Sequence, residues 1–206
     1  MKVCDLVLHQ LKMIYMMSEA DSARIARSGV LDRAEESAMR AVSGFLNKYN
    51  TGKIDPINGV MYTNYLYWLS RYLFETGDIE AAAEVYGLNK MFHSVDLFYE
   101  IKLPQIWSCE HPLGAVMGRA QYGERFFFYQ GCTVGGNRHN GEAFYPIIGN
   151  NVLMYSNSKI LGDSKIGNNV IIAANAYVIN QVVPDNSIVF GQSPNIIIKA
   201  NHNECI

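Results

Sequence analysis

Ile148, Met154, Ile160, Ile166, Ile172 and Val178 stand six residues apart without interruption. Neither the 3.6-residue period of a helix nor the two-residue period of a strand produces such a run. Two copies of Ile-Gly-Asn-Asn-Val, at 148–152 and 166–170, lie 18 residues apart, the length of three such units. That is the pattern of a parallel β-helix: each hexapeptide makes one short strand and a turn, and three make a triangular coil with the aliphatic residue inside. A less regular series precedes it: Leu97, Leu103, Cys109, then Val116, Tyr122, Phe128 and Val134. The one-residue shift before Val116 suggests a bulge or an adjusted corner. The glycine-rich, polar stretch GGNRHNGEAFYP then interrupts the repeat. It reads as a loop extruded from the coil over 135–147, a frequent location for function on a rigid repeat.

The first half has a different period. Leu8, Leu11, Ile14 and Tyr15 fall near one helical face. Asp32 with Glu35 resembles a capping box. Asp55-Pro56 and Asn58-Gly59 break the pattern, and MYTNYLYWLSRYLF (61–74) suits a buried helix. Gly77 ends that helix, and Asp78 is placed to cap an alanine-rich one reaching about Lys90. The expected class is α+β: an α-helical domain over 1–92, a β-helix over 93–199 and a tail over 200–206.

Hydrophobic residues make up 49% of the 206-residue chain and charged residues 17%, which supports a folded core. The formal net charge of −2 offers no basic field for nucleic acid. Cys4, Cys109, Cys132 and Cys205 form no CxxC pair and match no zinc spacing, so reduced thiols of a cytoplasmic protein are expected. No apolar run reaches membrane-spanning length, and charges interrupt MKVCDLVLHQLK too early for a signal peptide.

From Val95 to Ile198 the sequence resembles the catalytic domain of serine acetyltransferases, in the hexapeptide-repeat acyltransferase superfamily. The helices from about Tyr62 onward resemble that family's N-terminal domain. The resemblance implies a left-handed β-helix and an acetyl-CoA-dependent O-acetyltransferase. In VDLFYEIKLPQIWSCEH, Asp96 and His111 fall on the family's Asp and catalytic His. The 15-residue gap is close to one coil, and a carboxylate beside an imidazole steadies the imidazolium as it forms. The resemblance makes His111 the general base for an acceptor hydroxyl that attacks the thioester directly. In GCTVGGNRH, Gly135 and Gly136 match glycines whose amides approach the thioester. Coenzyme A contacts are implied at Ser156, Asn157, Ala174, Asn175, Gly191, Pro194 and Lys199. Asn195 stands where the family has Ala, and Tyr155, Asn157 and Tyr177 are bulkier than its Gly or Ala.

The acceptor pocket departs most from the family. Its Arg-His pair before the loop-ending Pro, which helps hold the carboxylate of serine, is Phe144-Tyr145 here. Those residues cannot supply a planar cation to a carboxylate. Tyr145, Arg138 and His139 remain acceptor candidates in the loop, Glu110 replaces an Asp, and Asp55 sits in an Asp-Pro dipeptide like the family's. With Trp107, Tyr122, Phe126, Phe127, Phe128, Tyr129 and Phe144 also nearby in sequence, the reading favours a sugar hydroxyl of a surface polysaccharide or its precursor over L-serine. The alternatives outside transferases are a non-catalytic β-helix scaffold, a metal-dependent carbonic-anhydrase-like protein and a Ser hydrolase at Gly191-Gln192-Ser193-Pro194-Asn195. His93, His111 and His139 give no convergent ligand set, so no metal is expected. The prism's flat aliphatic faces favour a homotrimer, and the family's helical caps leave a dimer of trimers open. The family also docks a C-terminal Ile into the next enzyme of cysteine synthesis, a role open to Ile206.

Overall fold

The computed structural model describes residues 2–45 and 52–203. Ile206 and Cys205 lie outside these residues. The chain divides into two compact units, Met1–His93 and Ser94–Ile206.

The first unit contains α1 (Val3–Tyr15), α2 (Glu19–Arg27), α3 (Val30–Ser43), α4 (Gly59–Glu75) and α5 (Ile79–His93). Local chemistry sets several of their ends. The Ser18 hydroxyl accepts from the Asp21 amide at the start of α2, whose acids lie in its first turn and whose bases lie in its last. Asn58 caps α4 by accepting from the amides of Val60 and Met61. Gly77, at φ +86°, takes the chain out of α4, and Asp78 accepts from Ala81 at the start of α5. Every residue of α4 from Met61 to Leu73 is buried, as its apolar, aromatic run requires. It packs against α3 and α5, and Ala34, Ala38 and Ala41 let α3 approach closely. Two expectations are corrected. Burial in α1 centres on Val3, Val7 and Leu11, with Leu8, Ile14 and Tyr15 only half-buried. Helix α3 begins at Val30 behind left-handed Gly29 with no side-chain cap, so Asp32 and Glu35 form no capping box; Asp32 lies in the first turn, where its charge suits the helix dipole.

The second unit is a parallel β-helix with three faces. On the first stack Trp107–Cys109, Phe126–Phe128, Val152–Met154, Val170–Ile172 and Ser187–Gln192; on the second, Val116–Met117, Thr133–Gly135, Lys159–Leu161 and Tyr177–Ile179. Gln121–Tyr122, Ile147–Ile148, Lys165–Ile166 and Val182–Val183 make the third. Residues of the hexad fall in register: Met154 on Ile172, Ile160 on Val178, Ile148 on Ile166. All six are at most 4% exposed and fill the prism. Trp107 stacks on Phe128 beside Phe126, and all three are fully buried, so aromatic volume fills the end that lacks the hexad. Val116 does not point inward as expected. It is 39% exposed, and its neighbour Met117 pairs with Val134 inside, because the Pro112–Ala115 turn advances the register by one more residue.

Corners are turned by left-handed residues, chiefly Asn. Asn151, Asn169 and Asn186 all have φ near +55°, and their amides bond one to the next, Asn151 to Asn169 and Asn169 to Asn186, each at 2.9 Å. Asn tolerates this conformation better than other non-glycine residues. The chain finishes in an antiparallel strand, Asn195–Ala200, on Ser187–Gln192.

The interruption is structured. Asn137–His139 pairs antiparallel with Glu142–Phe144, and Asn140-Gly141, both at positive φ, make the two-residue turn. The extruded segment is a β-hairpin standing off a corner between the second and third faces.

Candidate active site

The outer surface of the second face organises the candidate residues. Its outward column runs Asp96, Val116, Thr133, Lys159 and Tyr177, each in register with the next. Asp96 is fixed by its backbone, its amide donating to the Ala115 carbonyl (2.9 Å) and its carbonyl accepting from Met117 (3.0 Å). At about 4.8 Å per rung, Lys159 lies roughly 14 Å along this face from Asp96.

His111 stands at the corner from which this face departs. Its φ of +50° is the left-handed turn geometry, uncommon for a residue with a Cβ and often met at functional positions. The side chain is 75% exposed, and its Nε2 lies 4.0 Å from Glu110 Oε1. Glu110 is in turn held by its neighbours. Its amide donates to the Phe128 carbonyl at 3.1 Å, and its carboxylate lies near enough to the Tyr129 phenol to influence it. Burial, with the carboxylate adding to it, pushes the Tyr129 phenol up to about 12, so it is a donor at any physiological pH. Tyr129 stacks on Tyr155 of the next coil, 5.4 Å between rings.

Gly135 and Gly136 lie at the far end of the second face. Gly118 N donates to the Val134 carbonyl, so the backbone of Gly118 lies against Gly135. A Cβ on Gly136 would lie 2.6 Å from the Phe144 carbonyl oxygen and from the Tyr145 ring, so only glycine fits there. Within one chain, the corner after His111 at Gly114 and the corner at Gly118 are separated by one side of the triangle, about 13 Å at 3.3 Å per residue. His111 and the glycine pair are thus presented at opposite edges of the same face.

A groove of about 360 Å³ opens further along, lined by Asn157, Lys159, Asn175, Tyr177 and Gln192. Asn157 and Asn175 belong to the expected coenzyme A set. Ser156 and Ala174 adjoin them at the same corner, and Gly191, at positive φ, precedes Gln192 at the end of the strand Ser187–Gln192. Pro194 follows a cis peptide, and its carbonyl accepts from Gln181. Lys199 lies elsewhere, on the terminal strand opposite Ile188, its ammonium over the Phe190 ring. The cation that lines the groove is Lys159, with Nζ donating to the Asn157 carbonyl. Its position was readable in the sequence, as the outward neighbour of Ile160 in the hexad.

The acceptor candidates fall on different elements. Arg138 and His139 are exposed on the hairpin, whose first residue, Asn137, donates to Asn180 of the coil. Tyr145 returns beside Gly136, 37% exposed. Asp55, in the helical unit, accepts from the Ile57 amide at 2.9 Å in a turn preceding α4. Of the aromatic residues near the site, Trp107, Phe126 and Phe128 turn inward and leave the surface. Among the described residues no group of three His, Cys, Asp or Glu side chains could hold a metal ion, and no helix is long and apolar enough to cross a membrane.

Residues 145–180 match the model of the bacterial transferase hexapeptide (six repeats). A serine acetyltransferase of Staphylococcus epidermidis is 32% identical over 95 residues, 46% of this chain and 45% of that protein. One from Staphylococcus aureus is 30% identical over 87 residues, covering 42% and 41%. The alignment thus spans a little under half the length of the curated relatives it matches. In three dimensions the likeness is broader. The crystal structure of serine acetyltransferase from Brucella abortus superposes with a TM-score of 0.68 at 21% identity, covering 90% of this chain and 75% of that one. That from Neisseria gonorrhoeae gives 0.69 at 19% identity, covering 91% and 75%. A Brucella abortus serine acetyltransferase in complex with coenzyme A gives 0.64 at 22%, covering 85% and 68%. The chain is similar to serine acetyltransferases in fold along most of its length, and in sequence over a little under half of it.

Proposed function

We propose that the chain is an acetyl-CoA-dependent O-acetyltransferase, with His111 as general base and L-serine as the acceptor. The observation that carries this reading is the single outer face that begins at Asp96 and His111 and continues into the groove around Lys159. Such a face offers an extended thioester ligand a groove at one end and a base at the other. The exposed imidazole takes the proton of the acceptor hydroxyl, and the oxygen attacks the thioester carbonyl carbon. The carbonyl pair moves to oxygen, where backbone amides at Gly135 and Gly136 stabilise the charge. Collapse breaks the C–S bond, and the coenzyme A thiolate leaves with the proton His111 holds. The resemblance gives Asp96 the part of steadying the imidazolium, although the carboxylate within 4.0 Å of the ring is Glu110.

Because His111 and the glycine pair lie at opposite edges of one face, we assign the glycine pair to a neighbouring copy in a homotrimer, with the thioester held between protomers. Glu110, beside His111, suits the ammonium of an amino acid acceptor. The named activity of the relatives favours L-serine over the sugar that the sequence alone suggested. The inward turn of Trp107, Phe126 and Phe128 also removes much of the aromatic surface on which that preference rested. The test is thiol release from acetyl-CoA with L-serine, L-homoserine and a set of sugars. Turnover with L-serine supports the reading; turnover with a sugar and none with L-serine returns the acceptor to the sugar class.

A further inference from the structure

Arg119 is an exposed guanidinium whose position is fixed without a carboxylate. Its carbon lies 5.6 Å from the centre of the Tyr145 ring, a cation–π arrangement. The backbone beneath it is held at two points: Gly118 N donates to the Val134 carbonyl at 2.7 Å, and the Tyr122 hydroxyl donates to the Gly118 carbonyl at 2.7 Å. Since Met117 is in register with Val134, Arg119 occupies the corner position one coil below Gly136. The Tyr145 ring lies against Gly136 itself, so glycine, phenol ring and guanidinium form one contiguous, solvent-facing patch. Among the described residues Arg119 has no carboxylate partner. The other cation of this region, Arg138, is exposed on the hairpin strand opposite Ala143.

The geometry points to Arg119 as the residue that recognises an acceptor carboxylate. Phe144-Tyr145 leave the end of the hairpin without a cation, and Arg119 restores one from the coil below. A guanidinium whose neighbour is an aromatic ring, not a carboxylate, keeps N–H donors for a ligand, and its planar fork matches a carboxylate in two parallel hydrogen bonds. The ligand class is therefore a small hydroxy acid or hydroxy amino acid, its carboxylate on Arg119 and its hydroxyl toward the acyl-transfer point at Gly135–Gly136. This rests on the acetyl-transfer reading for the hydroxyl's fate, but not for the binding of the carboxylate.

The experiment pairs binding with turnover in the full-length protein. L-Serine binding is measured by calorimetry for wild type, Arg119→Gln and Arg119→Lys. Thiol release is then measured with L-serine and with 2-aminoethanol, which lacks the carboxylate. The expected result is a loss of L-serine affinity, and a rise in its KM, of about ten- to a hundredfold in Arg119→Gln. Lys should recover part of that loss. The preference for L-serine over 2-aminoethanol should collapse in the Gln variant, while the KM for acetyl-CoA holds. Equal L-serine affinity in wild type and Arg119→Gln overturns the proposal, and so does wild type that binds none of L-serine, L-homoserine and glycerate. Arg119-dependent binding with no thiol release from any acceptor sustains the carboxylate site and refutes the acetyl-transfer reading instead.

Discussion

Glu110 Oε1 lies 4.0 Å from His111 Nε2, and the same carboxylate adds to the upward push that burial gives the Tyr129 phenol. The carboxylate thus lies between an exposed imidazole and a tyrosine that is itself stacked on Tyr155.

If Tyr129 acts through Glu110, its removal matters only while the carboxylate is present. Glu110→Gln should raise the KM for L-serine about tenfold or more, and Tyr129→Phe by a smaller factor, consistent with one hydrogen bond to a charged group. The double variant should be no worse than Glu110→Gln alone. Steady-state kinetics on the four proteins give the answer, and multiplicative losses would show that Tyr129 acts elsewhere.

The register of the first coils makes a sharp stability prediction. Met117 is 1% exposed inside the prism and Val116 is 39% exposed outside it. Met117→Ala should cost about 2–5 kcal/mol of unfolding free energy, the usual range for a truncated core side chain. Val116→Thr should stay within about 0.5 kcal/mol. Denaturant unfolding measures both, and the reverse order would mean that Val116 is the inward residue.

Acid should weaken the helical unit through His93. Burial pushes this imidazole down to about 4, and its Nδ1 lies 2.8 Å from Asn89 Oδ1. In the unfolded chain the same group titrates near 6.5. Between these values the unfolded state binds the extra proton, so stability rises with pH there. The contribution of neutral His93 is complete above about pH 6.5 and is lost as pH falls towards 4. Melting temperatures between pH 7 and 4.5 should fall more steeply for wild type than for His93→Gln. Parallel curves would contradict this assignment.

Much of the second unit was legible because its repeat leaves little freedom. A six-residue period fixes which residue points inward, and a corner every hexad demands left-handed Asn or Gly. Where the period lapses, so does the reading: Val116 was placed inside because the Pro112–Ala115 turn has no hexad to count from. The hairpin was read as a loop although Asn140-Gly141 is the strongest short signal for a two-residue turn. The helical half was less legible in detail. The start of α3 depends on Gly29 adopting a left-handed conformation, which outweighs the apparent Asp32–Glu35 box. At the site, Asp96, His111 and the glycine pair were named from linear motifs. Lys159 is readable only as the outward neighbour of Ile160, and no linear motif connects Arg119 to Tyr145 or Tyr129 to Tyr155, which meet across coils.

The most direct test of the account is thiol release from acetyl-CoA in the presence of L-serine, comparing wild type with His111→Asn. Asparagine suits the φ of +50° at this corner and offers no base of suitable pKa. The account predicts that wild type turns over and that the variant loses about 10²–10⁴-fold in kcat, the usual share of a general base. Its melting temperature should stay within a few degrees, since the ring is 75% exposed. A variant that keeps wild-type kcat would contradict the account, because no other group would then be needed to take the hydroxyl proton.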